Sequence, residues 1–191
     1  MRDSKGAKIL FTGPTGAGKS TAIRGLSAIA APDGDSHDDA AELHAGSFDY
    51  GEFRPDGGAA LRLYGAPEQM RFDFMWKVLA DEAMGLVVML DHQRPDPASD
   101  ALRYVQSFEA LARRRACVVG VGRFDAARAP SLQTIASRLE TAGFRVPVIA
   151  VDARRQDDML RMMRTLVALA RRDAFTPLDA QPTTPAEPLP E

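Results

Sequence analysis

The sequence predicts an α/β domain in which a six-stranded, mostly parallel sheet lies between layers of helices. Two observations lead to this three-layer class. Short apolar runs of strand length alternate with segments whose apolar residues recur at helical spacing. Most strand-like runs are also continuously apolar, as in parallel sheets that helices cover on both faces. Ligands of such sheets bind beyond the carboxyl ends of the strands, so candidate functional residues are expected there.

The first elements are a strand, a loop and a helix. Residues Ala7–Thr12 form a short apolar run typical of a strand, and Gly18–Ala30 carries apolar residues at helical spacing until Pro32 ends the pattern. The next segment, Asp33–Gly46, is rich in Asp, Gly, Ser and His and lacks apolar periodicity. Long loops of this kind are usually functional when they lie beside a binding site.

A β-hairpin and a helix follow. Strands are predicted at Ser47–Phe53 and Ala59–Tyr64, because Arg54–Gly58 between them contains the Pro and Gly residues of a hairpin turn. This hairpin supplies the one antiparallel strand of the sheet. The segment Arg71–Ala83 places Phe, Met, Trp and Leu side chains on one helical face, which indicates a packed helix.

The second half of the chain alternates strictly, which brings the total to six strands and five helices. The run Leu86–Leu90 is too continuously apolar for an edge strand. The remaining predicted elements are a helix at Ala98–Arg114, a strand at Ala116–Val121, a helix at Ser131–Thr141, a strand at Val146–Val151 and a helix at Gln156–Arg172. Gly143 is suited to end the fourth helix, and acidic and basic residues at opposite ends of the fifth complement its dipole.

Composition predicts the domain organisation and the surroundings of the chain. We expect one domain at residues 1–174 and a disordered tail at 175–191, where five prolines occur without apolar periodicity. Cys117 lies in an apolar run, so a buried thiol, no internal disulfide and a reducing cytoplasm are expected. The longest apolar run, Leu86–Leu90, is too short to span a membrane, and the first residues lack a signal-peptide core.

Charge argues against one class of partner. The chain carries 24 basic and 26 acidic residues, for a net charge of −2. This near-balance creates no field that would hold a phosphate polymer without sequence specificity. Nucleic acid is therefore not an expected partner.

A phosphate-binding motif stands between the first strand and the first helix. Residues Gly13–Ser20 read Gly-Pro-Thr-Gly-Ala-Gly-Lys-Ser, which matches G-x-x-x-x-G-K-[ST]. Glycines let successive backbone N–H groups turn toward phosphate oxygens, and the helix N-terminus adds partial positive charge. The motif predicts a P-loop NTPase in which Lys19 reaches the β- and γ-phosphates and Ser20 binds Mg²⁺. The expected nucleotide-binding residues here are Gly13, Pro14, Thr15, Gly16, Ala17, Gly18, Lys19, Ser20 and Thr21.

The order of elements resembles the Ras-like small GTPases, and one segment is similar to a bacterial branch of them. Leu61–Trp76 reads Leu-Arg-Leu-Tyr-Gly-Ala-Pro-Glu-Gln-Met-Arg-Phe-Asp-Phe-Met-Trp. It resembles the second switch of the MglA-like and conservon-type GTP-binding proteins, which reads near F-G-T-P-G-Q-x-R-F-x-F-M-W. Asp49-Tyr50-Gly51 stands where that family has D-[FY]-G after its first switch. The resemblance covers roughly residues 7 to 170.

The resemblance implies a guanine-nucleotide switch with GTP or GDP and Mg²⁺ as ligands, and with slow or partner-stimulated hydrolysis. Gln69 matches the residue that orients the attacking water. Gly122-Arg123-Phe124-Asp125 matches the base-recognition motif, in which the Asp125 carboxylate would accept the N1–H and exocyclic amine of guanine. Asp152, Ala153 and Arg154 match the last base-contacting motif. The implied partners are a roadblock-type regulatory or GTPase-activating protein and an effector, in a cytoplasmic polarity, motility or signalling module.

Two alternatives to this switch remain open, and departures from the family pattern support the first of them. His44 and Ala45 stand in place of the first-switch threonine, Glu68 in place of a glycine that meets the γ-phosphate, and Gly122 in place of the base-motif asparagine. One alternative is therefore a docking protein that binds nucleotide weakly or does not hydrolyse it. The other is a P-loop ATPase or kinase in which Asp91 binds Mg²⁺, although Asp91 is equally suited to be a polar strand end that caps the next loop.

Overall fold

The computed structural model describes residues 7–30, 49–55, 58–66, 80, 83–114 and 116–175. Within these residues the chain forms six strands and five helices. The strands are β1 (Ala7–Thr12), β2 (Asp49–Phe53), β3 (Leu61–Gly65), β4 (Ala83–Asp91), β5 (Ala116–Gly122) and β6 (Val148–Ala150). The helices are α1 (Lys19–Ala30), α2 (Pro97–Ser107), α3 (Glu109–Arg114), α4 (Leu132–Thr141) and α5 (Gln156–Phe175).

The six strands form one sheet in the order β2-β3-β1-β4-β5-β6. All neighbours are parallel except β2 and β3, which pair antiparallel with Asp49 opposite Gly65. The α/β class and the mostly parallel sheet with one antiparallel pair are therefore confirmed. The chain leaves β1 toward β3 on one side and returns to β4 on the other, which places a crevice beyond the carboxyl ends of these strands.

Two apolar clusters cover the two faces of the sheet. Side chains alternate along β4, where Met89 belongs to one cluster and Leu90 to the other. Helices α1 and α5 pack on the first face, while α2, α3 and α4 pack on the second. Both faces of the central strands are thus buried, which explains why β4 is apolar at nearly every position.

Several expected boundaries differ from the structure. The predicted helix Ala98–Arg114 is two helices, because Phe108 has a φ of −120° and a ψ of 37°, outside the helical region. Ala83, expected at the end of a helix, is the buried first residue of β4. Strand β6 is confined to Val148–Ala150, short of the predicted Val146–Val151. Apart from Ala80 and Ala83, the expected helix over 71–83 lies outside the described residues.

The observed end of α5 differs from the sequence prediction, and the environment of the single cysteine agrees with it. Helix α5 continues to Phe175, beyond the predicted end at Arg172, and the rest of the expected tail lies outside the described residues. Cys117 is buried in β5 as expected, and burial raises the pKa of its thiol to about 12. Within the described ranges, no helix is both long and apolar enough to cross a membrane.

Helix α1 approaches β2 closely because β2 contains a glycine. A Cβ at Gly51 would lie 2.1 Å from Ser27 Oγ and 2.8 Å from Ile23 Cγ2, and both of these residues belong to α1. The glycine therefore lets the helix pack on the strand at short range, and α1 carries the loop of the candidate site at its N-terminus.

A Gly51→Ala substitution is expected to lower the free energy of unfolding by about 1–3 kcal/mol, because the new methyl group overpacks this contact. Urea denaturation followed by circular dichroism measures the change. Gly25→Ala is the matched control, since Gly25 is an exposed position of α1 where the nearest atom to a new Cβ is 3.8 Å away. That change is expected to stabilise the helix by up to about 1 kcal/mol. Equal losses in both variants would contradict the packing argument.

Candidate functional site

A glycine-rich loop connects β1 to α1 at the carboxyl end of the sheet. Gly13, Gly16 and Gly18 have φ values of 134°, 79° and 95°, which L side chains rarely adopt. At Gly13 the requirement is also steric, because a Cβ there would lie 1.9 Å from the carbonyl oxygen of Met89 in β4. The loop thus lies directly against β4, and its conformation depends on glycine at these positions.

The ammonium group of Lys19 folds back onto this loop. Its Nζ donates to the carbonyl oxygen of Gly13 at 2.7 Å and to that of Pro14 at 2.9 Å. Lys19 is also the first residue of α1, so its charge lies close to the partial positive charge of the helix N-terminus. A glycine-rich loop, a helix N-terminus and a lysine together form an arrangement suited to a phosphate group.

The expected phosphate-binding residues are contiguous in space as well as in sequence. They form the loop and the first turn of α1, with a packed base and an accessible tip. The buried members are Gly13, Pro14 and Ala17, the half-buried members are Gly18, Lys19 and Ser20, and the exposed members are Thr15, Gly16 and Thr21. An exposed tip on a packed base leaves room for a ligand without loss of core contacts.

Ser20 has a carboxylate partner from the far edge of the sheet. Its Oγ donates to Asp49 Oδ2 at 2.6 Å, and Asp49 is the first residue of β2. Because 29 positions separate the two residues, the sequence contains no local signal for this contact. The contact places a hydroxyl and a carboxylate side by side at the position where the motif predicts a metal ligand.

Arg123 links the loop after β5 to the glycine-rich loop. Its guanidinium donates through Nε to Asp91 Oδ1 at 2.9 Å and through a second nitrogen to Asp91 Oδ2. The same nitrogen donates to the carbonyl oxygen of Gly16 at 3.3 Å. Gly122 stands where the resemblance implies an asparagine. The neighbouring Arg123 supplies a different connection between the two loops.

The Arg123 backbone is strained, which marks this position as unusual. Its φ of 51° lies in the left-handed region, where a residue other than glycine is uncommon.

Asp91 is buried, and its Oδ1 also accepts the backbone N–H of Gln93 at 2.9 Å. These contacts favour a structural role for Asp91, as the polar end of β4 that caps the next loop, over a role in binding Mg²⁺.

Asp125 stands on a loop that a buried histidine holds in place. The Asp125 backbone N–H donates to His92 Nδ1 at 3.2 Å, so the proton of that ring is on Nε2, which lies 2.8 Å from the carbonyl oxygen of Pro130. His92 is completely buried and contacts the Phe124 ring at a centroid distance of 4.8 Å. The sequence has no local pattern that predicts this role of His92, because both hydrogen bonds of its ring are long-range.

The Asp125 side chain is exposed and has a defined orientation. Its Oδ1 accepts the backbone N–H of Ala127 at 2.9 Å, which forms a tight turn within the loop. The carboxylate retains further acceptor positions, since each oxygen has two lone pairs. Asp125 can therefore accept two donors from the edge of a ligand without giving up the turn.

The loop after β6 lies next to the glycine-rich loop. A Cβ at Gly18 would lie 3.0 Å from the Cβ of Ala153, so the two loops are in close contact. Arg154 donates from Nε and a terminal nitrogen to the two oxygens of Asp152 at 3.0 and 2.9 Å. These hydrogen bonds hold the pKa of the Asp152 carboxyl at about 2.

The structure therefore brings three predicted parts of the site to the same end of the sheet. Contacts join the glycine-rich loop to the loop after β5 through Arg123 and to the loop after β6 through Ala153. Four other positions lie outside the described residues, namely His44, Ala45, Glu68 and Gln69. Across the described part of the chain, no group of three or more His, Cys, Asp or Glu residues is placed to hold a metal ion by protein side chains alone.

Comparison with protein-family models finds no match for this chain, and comparison with curated proteins finds none either. The motifs and the geometry of the loops are therefore the basis for a function.

Proposed function

We propose that this chain is a P-loop protein of the small-GTPase type that binds GTP and GDP and acts as a molecular switch. Its ligands would be a guanine nucleotide and Mg²⁺, and hydrolysis would be slow or dependent on a partner. The observation that carries the proposal is the geometry of Gly13–Ser20, where three glycines of positive φ shape the loop and Lys19 Nζ lies on it.

Different groups of the loop would bind different phosphate oxygens. Backbone N–H groups and the N-terminus of α1 are suited to phosphate oxygens, and Lys19 would exchange its two carbonyl partners for phosphate oxygens. A hydrogen bond from the ammonium to an anionic phosphate oxygen is stronger than one to a neutral carbonyl oxygen, because both partners then carry charge. Close packing of Gly13 on β4 supports a loop that is preorganised for a phosphate.

Mg²⁺ fits the chemistry of the groups present. The ion prefers oxygen ligands and usually keeps several waters, so it needs few protein ligands beyond the phosphates. Ser20 would contribute its hydroxyl oxygen, as the motif predicts. The ion would supply charge neutralisation between the phosphates, and Ser20 would fix its position relative to α1.

Guanine is the proposed base because of Asp125. The carboxylate matches two adjacent donors, N1–H and the exocyclic amine, which guanine presents and adenine does not. His92 and the turn to Ala127 hold the side chain in one place, which reduces the entropy lost on binding. Ala153, beside Gly18, would contact the base from the loop after β6.

Two alternative functions remain distinct from this proposal. The docking protein that binds nucleotide weakly is supported by Glu68, an anion where the γ-phosphate is expected. The ATPase or kinase has less support, because Arg123 and the Gln93 N–H occupy the Asp91 carboxylate that it requires. A roadblock-type activating partner and a cytoplasmic signalling or polarity module accompany the GTPase proposal, on the resemblance of Leu61–Trp76.

The proposal predicts that the purified protein contains guanine nucleotide, released on denaturation and identified by ion-exchange chromatography. After the nucleotide is removed, calorimetric titration should show GDP and GTP binding and no competition from ADP or ATP. Bound GTP without GDP would indicate arrested hydrolysis and favour the docking alternative. Equal affinity for adenine and guanine nucleotides would contradict the proposed specificity, and no binding of either would contradict the proposed function.

A further inference from the structure

We infer that Asp49 supplies the carboxylate of the Mg²⁺ site, from the edge strand β2 and not from the end of β3 or β4. The inference rests on the proposed function, because it concerns how the same site holds the ion. It assigns a role in cation binding to a residue outside the phosphate-binding motif.

The first support is the contact with Ser20. Mg²⁺ in P-loop proteins is usually held by the hydroxyl of the loop and a nearby acidic residue. Ser20 Oγ lies 2.6 Å from Asp49 Oδ2 and donates its proton to it. A hydroxyl oxygen that donates its proton still has both lone pairs for a cation. The pair therefore presents a neutral and a charged oxygen ligand side by side, and a cation would also relieve the negative charge of Asp49 beside the phosphates.

The second support concerns the strands on either side of β1, whose carboxyl ends lie next to the glycine-rich loop. Strand β3 ends in Gly65, which has no side chain to offer. Strand β4 ends in Asp91, whose two oxygens are engaged by Arg123. Neither end supplies an uncommitted carboxylate, and among the described hydrogen bonds of Ser20 Oγ the acidic partner is Asp49.

The third support is the space above Gly65. Asp49 and Gly65 are direct partners in the antiparallel register of β2 and β3. A Cβ at Gly65 would lie 2.8 Å from Asp49 Cβ and 3.1 Å from Asp49 Oδ2. The Asp49 carboxylate thus occupies the space that a side chain at the end of β3 would need. Glycine at position 65 and aspartate at position 49 act together, so that the carboxylate comes from the neighbouring strand.

The test compares GDP affinity in Mg²⁺ with GDP affinity in EDTA, by calorimetry on the full chain and on Asp49→Asn. Asparagine keeps the size of the side chain and an oxygen acceptor for Ser20, but it lacks the charge. We expect Mg²⁺ to raise the affinity of the unaltered chain and Asp49→Asn to lose about tenfold or more of that gain. In EDTA the variant should bind GDP at least as tightly as the unaltered chain, because a negative charge near the phosphates has been removed.

The control is Glu52→Gln, which removes an exposed carboxylate from the same strand and should keep the full Mg²⁺ effect. Thermal melting checks the fold, and Asp49→Ser replaces Asp49→Asn if the latter does not fold. Three outcomes would overturn the inference: a full Mg²⁺ effect in the variant, an equal loss of affinity in Mg²⁺ and in EDTA, or no Mg²⁺ effect in the unaltered chain. In each of these cases GDP binding would still support the proposed function. Absence of GDP binding in the unaltered chain under both conditions would overturn both.

Discussion

A Lys19→Ala variant is expected to bind GTP and GDP at least about a hundredfold more weakly than the unaltered chain. The lysine is a charged residue of the loop motif itself, and its Nζ lies within 2.9 Å of two loop carbonyl oxygens. Alanine removes the charge-assisted hydrogen bonds to the phosphates and leaves the backbone N–H groups as the remaining donors of the loop. Calorimetric titration of each nucleotide in Mg²⁺ measures the loss.

The matched control for this variant is Arg145→Ala, which also removes one positive charge. The Arg145 side chain is 89% exposed and lies 3.6 Å from Glu140, and a surface ion pair of this kind contributes little to stability. We expect nucleotide affinity within about twofold of the unaltered chain for this control. Melting temperatures of both variants show whether any loss is due to unfolding. Equal affinities in Lys19→Ala and the unaltered chain would remove the basis for a phosphate site in this loop.

The parts of the fold that the sequence predicted well are those with local signals. The unit of β1, loop and α1 follows from an apolar run, a glycine pattern and helical spacing within about two dozen residues. Strand β4 was also predicted, because burial on both faces makes Leu86–Leu90 continuously apolar. The break at Phe108 was not predicted, since Leu102, Val105, Phe108 and Leu111 keep helical spacing across it.

The parts of the site that the sequence did not predict depend on long-range contacts. Nothing near Ser20 in sequence indicates that Asp49 is its partner, and nothing near Gly16 indicates Arg123. His92 follows a strand directly, as an ordinary loop residue would, yet its ring connects two segments that come together only in the fold. Such residues become visible once the sheet order brings the ends of β1, β4 and β5 together.

An Asp125→Asn variant is expected to bind GDP at least about a hundredfold more weakly and to gain affinity for xanthosine diphosphate. Asp125 Oδ1 accepts the N–H of Ala127, so the asparagine oxygen should stay there and its NH₂ group should replace Oδ2. A donor then faces the exocyclic amine of guanine, which is also a donor. Xanthine has a carbonyl at that position and accepts the new donor. Competition titrations with both diphosphates measure the exchange.

The change in preference is more informative than the loss of affinity alone. His92 binds the backbone N–H of residue 125, which the substitution leaves in place, so the loop should keep its conformation. A loop that had simply become disordered would lose GDP without gaining xanthosine diphosphate. Asp157→Asn, at an exposed position in the first turn of α5, removes the same charge and should leave the preference for guanine unchanged. Unchanged GDP affinity in Asp125→Asn would mean that the base is recognised elsewhere, and the assignment of guanine to this chain would then lose its physical reason.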